Sequence, residues 1–99
     1  MWNDLELGWF AGIMEGEGCF YRIKKKRRMY PCLELQITDR DTAERAAYLL
    51  GVSVVKRSFA PNRKQVWRVR AAHARARAAM EMLFPLMSAR RQEQILLAL

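Results

Sequence analysis

The period of the apolar positions switches back and forth along this chain between helical and extended. Leu5, Leu7, Trp9, Ile13 and Met14 supply the apolar content of a first helix, with Asn3 or Asp4 as its cap and Gly18 as its stop. From Cys19 to Lys26 the pattern alternates loosely, and Phe20 and Ile23 disagree about which parity faces inward. Tyr30 to Thr38 alternates cleanly, with Leu33, Leu35 and Ile37 on one face and Cys32, Glu34, Gln36 and Thr38 on the other. The basic run Lys24 to Arg28 makes the tip of that hairpin.

Thr38-Asp39-Arg40-Asp41-Thr42 reads as a helix start, with acids where the helix dipole favours them. That helix carries Ala43, Ala46, Ala47, Leu49 and Leu50 and stops at Gly51. Val52 to Phe59 and Lys64 to Ala71 form a second hairpin across Ala60-Pro61-Asn62-Arg63, with Trp67 and Val69 alternating with Arg68 and Arg70. Ala72 to Leu83 is helical and Phe84-Pro85 breaks it; Ser88 caps a last helix over Ala89 to Leu99. The expectation is one α+β domain over residues 1–99.

Charge narrows the partner. A net charge of +8 points to a polyanion, nucleic acid first and an anionic membrane surface second. Membrane-surface binding calls for an amphipathic basic helix, whereas the basic residues here lie mainly on strands. Cys19 and Cys32 lack metal-ligand spacing and read as two reduced, buried thiols of an intracellular, unsecreted protein without a transmembrane segment. The one histidine, His73, has no partner for nucleophile chemistry and reads as a surface or structural residue.

The first helix carries the chemistry. Gly8, Gly12 and Gly16 recur every four residues, so they share one side. Interior helical glycine costs about 1 kcal/mol relative to alanine, and three at this spacing need a packing reason, the close approach of another backbone. Glu15 and Glu17 sit in the last turn, facing the negative end of the helix dipole, so each is either solvated or held by a cation. Being two apart, about 200° around the axis, they cannot share a face.

Phe10-Ala11-Gly12-Ile13-Met14-Glu15-Gly16-Glu17-Gly18 resembles the motif of the LAGLIDADG homing endonucleases, in a variant ending Gly-Glu-Gly. The element order is similar to the αββαββα order of that family, extending the resemblance to nearly the whole chain. It implies a four-stranded antiparallel sheet forming a saddle over DNA, with helices packed behind it. It also implies that Glu17 binds the catalytic divalent metal, Mg²⁺ with Mn²⁺ as a substitute, and that no small-molecule organic cofactor is needed. A single motif resembles the family's homodimers, which cleave near-palindromic sites, with Gly8, Ala11, Gly12, Glu15 and Gly16 at the subunit interface. Arg90, beside Arg91, stands where family members place a basic residue near the scissile phosphate. Asp39 departs from the Gln often found after the second strand, and is either a water-ordering residue or a helix cap.

The residues expected to contact double-stranded DNA are Lys24, Lys25, Lys26, Arg27 and Arg28 at phosphates, and Glu34, Gln36, Arg68 and Arg70 at base edges. Tyr21 and Trp67 are assigned to packing. The leading reading is a metal-dependent, site-specific DNA endonuclease. The alternative is a non-cleaving protein of the same fold, a DNA-binding regulator or an RNA-splicing maturase.

Overall fold

In the computed structural model, which describes residues 2–57 and 64–99, helix α1 (Asp4–Glu17) begins with a reciprocal cap. The Asn3 side chain accepts from the Glu6 N–H at 2.8 Å, and the Glu6 carboxylate accepts from the Asn3 N–H at 2.9 Å. Two donors that the helix leaves unpaired are thereby satisfied. The helix buries Phe10, Ala11 and Met14, while Leu7, Trp9 and Ile13 flank the core half-buried. This corrects the expected apolar side. Leu5 is 84% exposed, because it falls with Gly8 and Gly12 on the side away from Phe10 and Met14.

Strands β1 (Gly18–Lys25) and β2 (Arg28–Ile37) form a hairpin closed by Lys26 and Arg27. Helix α2 (Arg40–Leu50) follows, then β3 (Val54–Arg57), β4 (Val66–Ala72), α3 (His73–Leu83), a 3-10 turn at Phe84–Leu86, and α4 (Ala89–Ala98). All pairings are antiparallel and the sheet order is β1-β2-β4-β3. The third strand starts later than its sequence pattern suggests. Gly51 takes the left-handed conformation (φ 70°), and the Val52 N–H donates back to the Ala47 carbonyl at 3.0 Å. Val52 is thus bound into the end of α2. Phe59 and the turn Ala60-Pro61-Asn62-Arg63 lie outside the described residues.

The helices cover one face of the sheet. Phe20, Leu33, Leu35, Val69 and Ala71 meet Phe10, Met14, Ala46, Leu50, Met80, Leu83 and Ile95 in one core, each large side chain contributing roughly 1.5–3 kcal/mol by leaving water. The parity of β1 is thereby decided: Phe20 turns to the helices, while Tyr21 and Ile23 lie on the opposite face. Arg22, on the helix side, donates to the Ala98 and Leu99 carbonyls at 3.3 and 3.1 Å, where a cation suits the negative end of α4.

Candidate nucleic-acid interface

The face of the sheet away from the helices carries its charged and amide side chains, with Ile23, Val55 and Val66 among them, and strand register arranges it in rows. Gln36 lies beside Arg68, and Glu34 lies between Arg70 and Cys19, whose thiol is exposed on this open face rather than buried as expected. At the hairpin end Lys25 and Arg28 register on this face, with Lys26 and Arg27 in the turn beyond. Lys24 pairs with Met29 on the helix-side face, since successive strand residues alternate. The expectation that these residues form one basic front therefore divides, with Lys24 apart from the rest.

Glu34 organises the centre of the face. Its carboxylate accepts from the Tyr21 hydroxyl at 2.9 Å and the Gln36 amide at 2.8 Å. Burial first, then hydrogen bonds with Cys32 and Glu34, push the Tyr21 hydroxyl well above its ordinary pKa, so it remains a donor. Glu34 thereby fixes the orientation of Gln36, a residue whose amide suits adenine. The Nε of Arg68 is buried and has no hydrogen-bond partner among the described residues. An unmatched buried donor costs on the order of 1–3 kcal/mol, which an arriving acceptor recovers. This network was not read from the sequence, although the hairpin register, once known, brings Tyr21 and Glu34 to adjacent rows.

At the foot of α1 the two acids part company. Glu17 is exposed, and no hydrogen bond or ion pair engages it among the described residues. Glu15 instead ties α1 to α4, accepting from the Ser88 N–H at 2.7 Å and the Ser88 hydroxyl at 2.8 Å. Those two donors, the backbone one foremost, hold its carboxyl below the usual pKa, and Arg91 and Arg90 add to the effect. Arg91, 7% exposed, closes the tie from the other side. Its Nε donates to the Glu15 carbonyl at 3.1 Å and its Nη1 to Gln94 at 2.8 Å. Arg90, the next residue back on α4, is exposed, and the tie keeps it near the end of α1 that carries Glu17.

Of the expected interface residues, Gly8, Gly12 and Gly16 form an exposed ridge, and a methyl added at any of them would meet nothing within 4 Å. Ala11 does not lie on that ridge; it is buried in the core, and Glu15 is engaged with α4. Asp39 occupies the cap position of α2, where its carboxylate accepts from the Thr42 hydroxyl at 2.9 Å.

No protein-family model matches the sequence, and a search of the curated proteins finds no match. Solved structures do match. The archaeal intron-encoded homing endonuclease I-Vdi141I, complexed with DNA, superposes with a TM-score of 0.71 over 95% of this chain and 65% of its own, at 17% identity. The homing endonuclease I-CvuI, in complex with its target and with calcium present, gives 0.69 over 95% and 64%, at 15% identity. This chain has the LAGLIDADG homing endonuclease fold. I-TnaI, another homing endonuclease, gives 0.60 over 94% of this chain and 68% of its own, at 19% identity. The chain thus spans 65% and 64% of the lengths of the first two.

Within that fold the donor set for a metal is small. Among the described residues no three His, Cys, Asp or Glu side chains converge. One chain offers the Glu17 carboxylate, a hard oxygen donor. That fits Mg²⁺, which takes one or two carboxylates and completes its shell with water and phosphate. Among the described residues no helix is long and apolar enough to cross a membrane.

Proposed function

We propose that the protein is a site-specific double-strand DNA endonuclease acting as a homodimer, with Mg²⁺, or Mn²⁺ in its place, bound by Glu17 of each copy. The observation that carries this reading is the disposition of α1. An exposed glycine ridge runs down it to an exposed carboxylate, unpartnered among the described residues, at the point where the chain enters the open sheet face. Two copies meeting along that ridge about a twofold axis bring two carboxylates together, which is what cutting both strands requires.

In this reading Lys25, Lys26, Arg27 and Arg28 neutralise phosphates, and Gln36, Arg68 and Arg70 meet base edges in the major groove. Glu17 holds the metal; Glu15, with Ser88 and Arg91, positions the end of α1 against α4. Arg90, exposed at the start of α4, supplies a charged donor to the phosphate as negative charge develops on it. A bound divalent cation would supply an activated water and charge neutralisation at the phosphate.

The test starts from duplexes selected by the protein out of a random-sequence library. Native protein should cut a selected duplex with Mg²⁺ and not with EDTA. Glu17→Gln should bind the same duplex with cleavage lost. Binding by the native protein without Mg²⁺-dependent cleavage would replace this reading with that of a non-cleaving regulator or maturase.

A further inference from the structure

The hairpin tip is not a flat basic patch. Lys25, Lys26, Arg27, Arg28, Tyr30 and His73 line a hollow of about 550 Å³ between the tip and the first residue of α3. Within it the Tyr30 and His73 rings lie against each other, with centroids 4.0 Å apart and planes tilted by 54°. Among the described residues the two non-glycine positions with positive φ are Lys26 (58°) and His73 (61°), and both line this hollow. Left-handed backbone is unfavourable for a residue bearing a Cβ; at Lys26 the two-residue hairpin turn calls for it, and at His73 it occurs where β4 passes into α3. Among the described residues no carboxylate lines the hollow, so none of them neutralises its positive charge from within.

We propose that this hollow seats one backbone phosphate of the bound nucleic acid, beyond the base-reading rows, with Lys26 and His73 as donors and Tyr30 as the wall that orients the imidazole. The seat rests on the DNA reading above. It adds His73 and Tyr30 to the interface and gives the tip a defined point of attachment in place of diffuse charge. The hollow is continuous with the open face through Lys25 and Arg28, which register there. A phosphate arriving with a duplex is therefore favoured over a free one.

Because the chain has one histidine, its imidazole resonances report on this hollow alone. The labelled full chain is titrated with a short mixed-sequence duplex and, separately, with inorganic phosphate. The duplex should shift the His73 resonances in a saturable way. Lys26→Gly removes strain and charge together, so it should melt higher than native while binding the duplex about threefold to tenfold more weakly near 0.1 M salt. Its slope of log affinity against log salt should fall by about 0.9. His73→Phe keeps a ring against Tyr30 but removes the donors, and should weaken binding about threefold with the melting temperature held. Duplex binding with His73 unmoved and Lys26→Gly at native affinity overturns the seat and leaves the open-face reading standing. Saturable shifts with inorganic phosphate but none with duplex overturn the nucleic-acid source. Failure to bind any duplex removes both readings.

Discussion

Alanine at Gly8 and Gly12 tests the proposed meeting of two copies along α1. In the single chain a methyl at either position meets nothing within 4 Å, and both positions lie inside the helix. The exchange therefore replaces the flexible residue with the best helix former at no steric cost. That is worth about 0.8–1.0 kcal/mol at each site and about 2 kcal/mol for the pair. For a domain of this size each kcal/mol moves the melting temperature by about 4–8 °C, so the monomeric double variant should melt on the order of 10 °C above native. In a dimer formed through the ridge, the added methyls stand where the two backbones approach, and self-association should weaken. Thermal melts at a concentration where the chain is monomeric, and sedimentation with and without duplex, read the two effects separately. A double variant that dimerises on DNA as well as native refutes the ridge as the interface. One that gains no stability as a monomer refutes the solvent-facing ridge itself.

The neighbouring arginines of α4 should separate cleanly in urea denaturation. Arg91→Ala loses buried charged hydrogen bonds and should cost about 2 kcal/mol, whereas exposed Arg90→Ala should stay within about 0.5 kcal/mol of native. Glu15 has a folded-state pKa lowered from 4.5, so its contribution is complete above the unfolded value and is lost as pH falls through the lowered one. Glu15→Gln should flatten that part of the acid limb in a plot of urea midpoint against pH. Gly18→Ala differs from the ridge exchanges, because its methyl would sit 2.7 Å from the Met14 carbonyl oxygen. It should destabilise by about 1–3 kcal/mol, read from the same urea midpoints.

The two acids of the motif show what needed three dimensions. That Glu15 and Glu17 diverge follows from the helical period alone, but which one is engaged depended on Ser88, a residue 73 positions away. Arg91 has the same history: beside Arg90 the two are indistinguishable by composition, and the turn of α4 buries one and exposes the other. In β1 the disagreement between Phe20 and Ile23 could not be resolved locally, since either parity suits a short strand until the helices choose a face.

By itself the sequence determined the order of elements, because caps, glycine stops and hydrophobic period are local properties of the backbone. It also determined the glycine ridge and the acid at its foot, through fixed helical geometry. Only the tertiary structure decided that Ala11 belongs to the core, that Glu15 and Arg91 bind α1 to α4, that Glu34 orients Gln36, and that His73 closes a basic hollow with Tyr30. Those facts depend on which distant segments come within hydrogen-bond or van der Waals reach. Reach of that kind is a property of packing, and no spacing along the chain encodes it.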